Sequence, residues 1–357
     1  MGRRRAGAAV GAVGAALGLA TLAGCGREIG SGPVAAAKRP VALIGRRTGP
    51  LTWKKLAGSP TGGYVGLSFS AHAQGERYIY AGAMPDDAPG RLFRFDLDRN
   101  RWEEIPTTSW PIGKYRHFVL DRLKNRLIVH WDGLGQAYAV STRGGAWHPV
   151  GSSANSEEYY EAYLFWNPRT QAMNVFGGYG SSTMKNTLWE HGPSGEWHPV
   201  ATRGPAPSPR LGGRAIAVDE VWGKVYLGEE SGGDDLWELD LGTRTWRQLL
   251  GLNQSAHRRH GSGMTVTYPL AHELLRFGGK DVAMTDPPSF RDVLVYDLRK
   301  KGDWVQLETR GTPPEPRVSP GVFFDSRHGR VIVLGGIGVN GYFDDVWELS
   351  YPNPWSR

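Results

Sequence analysis

Arginine recurs beside apolar segments of this sequence, and it is the residue type here best suited to bind a charged ligand. Arg116, Arg210, Arg259 and Arg317 each precede or begin such a segment. A guanidinium holds a carboxylate through two parallel hydrogen bonds, so these residues predict a site for a ligand with acidic groups. The alternative interpretation is structural, with each arginine tying neighbouring elements together.

Metal-binding patterns are weak by comparison. His257 and His260 lie three residues apart with no third ligand nearby, which makes a poor zinc motif. The acidic pairs Asp234-Asp235 and Asp344-Asp345 would need further oxygen ligands converging on one point to hold a divalent cation. We therefore expect neither a metal nor another cofactor.

Cys25 is the only cysteine in the chain, and it ends the stretch Leu22-Ala23-Gly24-Cys25. Three arginines at residues 3–5 and an apolar run at residues 6–22 precede it, as in a secretory signal peptide. This ending resembles the lipobox of bacterial lipoproteins. The resemblance implies cleavage before Cys25 and a diacylglycerol on its thiol; an ordinary secretory signal or a short membrane anchor is the alternative.

The sequence thus predicts a signal peptide at residues 1–24, a lipidated cysteine with a flexible basic tether at 25–48, and a folded domain at 49–357. The expected location is extracytoplasmic, with the chain anchored to the membrane through lipid. In a Gram-negative host Gly26, by resemblance to known lipoproteins, would permit sorting to the outer membrane.

The net charge of +7 belongs entirely to the first 48 residues, where eight Arg and Lys face Glu28 alone. The remaining 34 basic and 34 acidic residues cancel. A neutral body without a basic run lacks the electrostatic footprint of a nucleic-acid-binding protein, so we expect no such partner. The basic tether would instead face anionic lipid.

Tryptophan reveals an internal repeat. Successive intervals of 45 to 58 residues separate seven tryptophans, namely Trp53, Trp102, Trp147, Trp197, Trp246, Trp304 and Trp355. Alternating segments such as Leu236–Leu241 precede them, and apolar segments ending in glycine, such as Val331–Gly336, lie further upstream. The chain also contains 50 glycines and 24 prolines, which predict frequent turns. Together these patterns predict an all-β domain with four short strands per unit.

The repeat resembles that of the kelch and galactose-oxidase family of β-propellers. It consists of a double glycine, then Asp-Asp-(Leu/Val)-Trp-Glu-Leu, then a further tryptophan. The resemblance covers residues 49–357 and implies six blades of four antiparallel strands. Closing the ring hides its last sheet edge, so we expect Thr52–Leu56 to be the outer strand of the final blade. Six blades need only six of the seven tryptophans in their outer strands, so Trp355 is expected to pack without belonging to one of these strands. Galactose oxidase needs a cysteine-linked tyrosine and copper, and Cys25 lies outside the propeller.

In kelch domains the segment that enters each innermost strand opens onto the mouth of the central channel. The resemblance therefore places the four arginines at that mouth, and Glu158, in the acidic stretch at residues 157–161, at the same place in the third blade. The result would be a ligand mouth of mixed charge. In the kelch pattern, acidic residues at the Asp-Asp position usually hydrogen-bond turn amides, which is the structural alternative to metal binding.

The fold does not decide the function, because propellers host enzymes and binding domains alike. The leading hypothesis is a monomeric, membrane-anchored binding module for a protein, peptide or glycan. The alternatives are an enzyme acting on a small sugar-like substrate, as in kelch-type epimerases or mutarotases, and a structural envelope protein. No nucleophile–base–acid motif is visible, which favours binding.

Overall fold

In the computed structural model, 31 β-strands, numbered in chain order, make up the regular structure of the described residues. These residues are 50–58, 65–83, 90–108, 110, 116–131, 137–150, 162–180, 182–192, 195–211, 215–228, 234–267, 272–281 and 290–351. None of them belongs to a helix that is long and apolar enough to cross a bilayer. The signal peptide, Cys25 and the tether predicted at 25–48 lie outside this part of the chain.

Six four-stranded antiparallel sheets form the blades. The strands of each blade are given from the axis outward. Blade 1 consists of β2 (Val65–Ala71), β3 (Tyr78–Ala83), β4 (Arg91–Asp96) and β5 (Arg101–Ile105), and blade 2 of β7 (Arg116–Asp121), β8 (Arg126–Trp131), β9 (Ala137–Ser141) and β11 (His148–Val150). Blade 3 consists of β12 (Tyr163–Asn167), β13 (Ala172–Phe176), β16 (Leu188–His191) and β17 (Trp197–Pro199).

Blades 4 to 6 repeat this order. Blade 4 consists of β18 (Ile216–Asp219), β19 (Lys224–Leu227), β20 (Leu236–Asp240) and β21 (Thr245–Leu250), and blade 5 of β22 (Gly263–Val266), β23 (Glu273–Phe277), β24 (Val293–Asp297) and β25 (Val305–Leu307). Blade 6 consists of β27 (Gly321–Asp325), β28 (Arg330–Leu334), β31 (Val346–Ser350) and β1 (Leu51–Ala57). The all-β, six-bladed propeller predicted from the sequence is confirmed.

Seven short strands complete the set. Parallel pairing of β6 (Thr107–Thr108) with β10 (Gly145–Ala146), and of β26 (Thr309–Arg310) with β1, joins the rims of adjacent blades. Two hairpins, β14 (Tyr179–Gly180) with β15 (Thr183–Met184) and β29 (Ile337–Gly338) with β30 (Gly341–Tyr342), extend blades 3 and 6.

The hydrophobic core consists of six clusters, one between each pair of adjacent blades. Strand β28 shows why: Val331 and Val333 pack towards blade 5, whereas Ile332 and Leu334 pack towards blade 1. Since successive side chains of a strand point to opposite faces, a strand buried on both faces must be apolar throughout. The cluster between blades 6 and 1 makes the array a closed ring.

The N-terminal strand closes that ring, as the sequence predicts. In β1, Trp53 pairs with Leu349 of β31, and its side chain is 4% exposed, with its ring centroid 5.1 Å from that of Phe277 in blade 5. Strand β1 therefore covers the edge of β31 and joins the core between blades 5 and 6. Trp355 lies outside the described residues.

The two ends of the ring differ. At one end, here called the turn face, each inner strand of blades 2, 3, 4 and 6 finishes with an Asp or Asn whose side chain accepts hydrogen bonds from the next turn's amides; these are Asp121, Asn167, Asp219 and Asp325. The opposite end, where the double glycines and the two hairpins lie, is called the mouth face.

Candidate functional site

A central cavity of about 170 Å³ runs between the innermost strands of all six blades. Its wall is largely apolar, and its polar side chains include His72, Gln74, Glu220 and Thr265. A cavity of this size with polar groups accommodates several water molecules. The channel is therefore a narrow space with room for a few water molecules rather than a pocket for a drug-sized ligand.

Polar groups of blades 1, 2 and 4 form a hydrogen-bond network at the turn-face end of the channel. Arg122 of blade 2 donates to the Glu220 carboxylate of blade 4 and, at 3.2 Å, to the Gln74 carbonyl of blade 1. The Gln74 amide in turn donates to Glu220 at 3.2 Å. Burial raises the pKa of Glu220, and the Arg122 charge opposes that effect. This network spans the foot of the channel; the sequence analysis missed it because each residue lies in an ordinary-looking turn.

His72 lies beside this network and is partly buried. Its Nδ1 is 3.1 Å from the Tyr78 carbonyl oxygen, and since a carbonyl only accepts, Nδ1 carries the proton of that hydrogen bond. Burial lowers the pKa of the imidazole, which favours the neutral ring near neutral pH. His72 and Glu220 thus line one cavity, one favouring its neutral form and the other with a raised pKa.

Three of the four predicted arginines are buried at the mouth face in two-pronged ion pairs. Arg210 contacts both oxygens of Asp235 at 2.8 Å, Arg259 contacts Asp292 at 2.5 and 3.0 Å, and Arg317 contacts Asp345 at 2.5 and 3.1 Å. Their exposed fractions are 5%, 2% and 0%. Each arginine lies just before the inner strand of its blade, and its aspartate just before the third strand of the same blade.

The backbone of the same arginines joins neighbouring blades. The Gly178 amide of blade 3 donates to the Arg210 carbonyl, and the Gly279 amide of blade 5 donates to the Arg317 carbonyl, both at 2.8 Å. A Cβ on Gly278, whose φ is +76°, would lie 2.5 Å from that Arg317 oxygen. The double glycine is therefore required for close approach between blades as well as for its left-handed backbone.

The guanidinium groups of Arg210, Arg259 and Arg317 are thus occupied by carboxylates of their own blades. This geometry supports the structural interpretation that the sequence left open, while ligand binding by these residues stays a prediction. Arg116 is placed differently: it is the first residue of β7 rather than part of the preceding segment, and it pairs with Trp131 of β8. Glu158 lies outside the described residues.

The Asp-Asp positions are also structural. Asp235 and Asp345 accept hydrogen bonds from the indole nitrogens of Trp237 and Trp347, each at 2.7 Å, besides their arginines. This explains the repeated Asp-(Leu/Val)-Trp order. Within the described part of the chain, no group of three or more His, Cys, Asp or Glu is arranged to hold a metal ion.

Among the described residues of the mouth face, both hairpins carry exposed large apolar side chains. Tyr179 and Met184 in blade 3 are 42% and 43% exposed, and Val339 and Tyr342 in blade 6 are 74% and 54% exposed. Blades 3 and 6 are opposite each other in a ring of six. The hairpins therefore present two apolar tips on opposite sides of the mouth, the kind of surface that docks a partner.

Comparison with known families agrees with this architecture. A family model described as the KLHDC2/KLHL20/DRC7 Kelch-repeats domain matches residues 66–279 and 170–356. The chain belongs to this kelch-repeat family. Membership of this family suggests a protein-interaction or binding module, which fits a mouth with exposed apolar tips above a channel too narrow for a large ligand.

Proposed function

We propose that this kelch propeller is a binding module tethered to the outer side of a membrane, with its ligand held at the mouth face. The observation that carries the proposal is the pair of opposed hairpins, whose apolar tips are exposed and belong to none of the six core clusters. A protein or peptide ligand fits this arrangement because Tyr is enriched at the hot spots of such interfaces and Met is enriched in the interfaces themselves. A glycan stacking on Tyr179 or Tyr342 is a further ligand class.

Substituting the hairpin tips should weaken ligand binding without disturbing the fold. Peptides are first selected from a displayed random library on the unmodified protein, and their affinities are then measured by calorimetry. Tyr342→Ser and Met184→Ser are each expected to weaken binding by at least tenfold, since an anchor side chain is worth about 2 kcal/mol. Leu123→Ser, which removes a more exposed apolar side chain (73%) from the turn face, is the control. Unchanged affinity in both hairpin variants would place the binding surface elsewhere.

The predicted mixed-charge mouth is tested with the same peptides. Arg116→Ala should weaken binding of acidic peptides, and Glu158→Ala should strengthen it. Effects of about 1.5–3 kcal/mol are expected wherever a charged hydrogen bond to the ligand is lost. If neither variant changes the preference for acidic over basic peptides, this part of the proposal is wrong.

The tether is the second part of the proposed function, and it rests on the lipobox-like residues 22–25. Cells that express the protein and are fed radioactive palmitate should yield labelled protein, because the Cys25 thiol is the single point of thioether acylation. Cys25→Ala should carry no label and leave an uncleaved precursor. An unmodified chain without label would refute lipid anchoring and leave the mouth as a separate question.

One observation favours a second function, that of a small-molecule enzyme: His72 and Glu220 share the central cavity. Against catalysis, Glu220 is paired with Arg122, and His72 is held by the Tyr78 carbonyl. Diethyl pyrocarbonate distinguishes the two functions, because it modifies a neutral histidine that a small molecule can reach. Rapid modification of His72 in the folded protein would favour the enzyme, whereas resistance until unfolding favours the binding module.

A further inference from the structure

The turn face carries exposed Arg and Lys side chains in the turns of all six blades, against two exposed carboxylates in the described turns, Asp98 and Glu196. The buried aspartates that cap the turns lie beneath these cations and are directed inward to backbone amides. The outermost layer of this face is therefore positive, although the propeller as a whole is neutral.

Ion pairing divides these cations into two groups. Some are paired with carboxylates of the same face, such as Arg122 with Glu220 and Arg327 with Asp98. Five others have no carboxylate partner among the described residues, and they are spread over blades 2 to 5; they are Lys124, Arg143, Arg169, Arg244 and Lys301. Such unpaired cations are available to a negatively charged surface.

Apolar side chains protrude between the charges. Leu123 is 73% exposed and Val221 is 43% exposed, and they occupy corresponding turns of blades 2 and 4. Neither packs in any of the six core clusters. Apolar tips among unpaired cations fit the boundary between lipid headgroups and acyl chains, where both kinds of side chain are stabilised.

The first strand of the propeller begins at this face. The Thr52 amide in β1 donates to Ser350 Oγ at 3.0 Å, and Ser350 pairs with Arg330, which follows the Asp325 turn. Strand β1 therefore begins at the turn-face end of the ring. In the sequence, residues 25–48 before this strand carry an excess of basic residues, the same sign of charge as the unpaired cations of the turn face.

We propose that the turn face docks on an anionic phospholipid bilayer, with Leu123 and Val221 at the headgroup boundary and the mouth face directed away from the membrane. The orientation rests on the proposed tether, but the surface chemistry does not. A bilayer suits these cations better than a nucleic acid does, because they are spread over the turns of four blades rather than concentrated in one basic run.

Vesicle sedimentation of the compact unit Val41–Arg357 tests this, since that unit contains all six blades and β1 but lacks Cys25 and most of the basic tether. The unit should bind vesicles of equal parts phosphatidylcholine and phosphatidylglycerol, and not vesicles of phosphatidylcholine alone. Binding should weaken steeply as salt rises. Equal binding to both vesicle types, or tighter binding to a DNA duplex than to the anionic vesicles, would overturn the proposal.

Matched triple variants locate the surface. Neutralising Lys124, Arg143 and Arg244 to Gln should weaken binding to the anionic vesicles by about a hundredfold. The control triple, Lys54→Gln, Arg258→Gln and Arg291→Gln, removes the same charge from exposed positions outside the turn face and should bind within about twofold of the parent. If both triples lose affinity equally, the attraction is not specific to the turn face. Because the unit cannot be acylated, failure here leaves palmitate labelling of Cys25 as an independent test of the tether.

Discussion

Removing β1 is expected to destabilise the whole propeller, whereas removing most of the tether is not. In unlipidated protein, deletion of residues 26–56 exposes the edge of β31 and empties the place of Trp53 between blades 5 and 6. The loss of one buried Trp costs about 3–5 kcal/mol, which corresponds to a melting temperature lowered by roughly 5–8 °C in a domain of this size, and the lost pairing of β1 with β31 should lower it further. Deletion of residues 26–46 leaves every described contact intact and should melt with the parent.

Thermal unfolding followed by circular dichroism compares the two deletions. Trp53→Ala in the otherwise intact chain separates the packing contribution of the side chain from the pairing of β1 with β31. Equal melting temperatures for the two deletions would contradict closure by the N-terminal strand.

Asp345→Ala should be among the most destabilising single substitutions in the protein. It leaves the Arg317 charge, 0% exposed, without its carboxylate and removes the acceptor of the Trp347 indole. Breaking a buried ion pair from one side costs about 3–5 kcal/mol. Urea unfolding should show this as a lower midpoint with a nearly unchanged slope.

Two controls accompany this substitution. The double variant Arg317→Met, Asp345→Ala removes both charges and should recover part of the loss, because no uncompensated charge stays buried. Glu104→Ala breaks the exposed pair with Arg91 and should cost at most about 1 kcal/mol. If Asp345→Ala were as stable as the parent, Arg317 would be able to leave its aspartate, and its predicted role in ligand binding would regain support.

The propeller could be predicted because each blade repeats the same local residue requirements. A double glycine is required where a backbone oxygen of the next blade approaches within contact distance, as at Gly278. Asp before the third strand is required where an arginine and an indole both need an acceptor, as at Asp345. Each unit must also place a large aromatic at its outer edge, as with Trp246 at 2% exposure. These requirements recur with the blade, so the sequence shows them.

The candidate site was less predictable, because its parts come from distant blades. Arg122 and Glu220 are 98 positions apart, and no spacing rule connects the turns of two blades that are not adjacent. The arginines show the opposite problem: the repeat correctly placed Arg210, Arg259 and Arg317 at equivalent positions, yet whether a guanidinium faces a ligand or an aspartate depends on side-chain packing. Arg116 is the first residue of its inner strand, whereas the other three arginines precede theirs.

By itself, the sequence determined the all-β class, the number of blades and the strand that closes the ring, because hydrophobic alternation, turn glycines and tryptophan spacing are local consequences of burying each blade against two neighbours. Tertiary structure alone decided which charges are buried in pairs, which cations stay unpaired on the turn face, and which apolar tips flank the mouth. The physical reason is that pairing and exposure depend on distances between blades, and those distances exist only after the ring has closed.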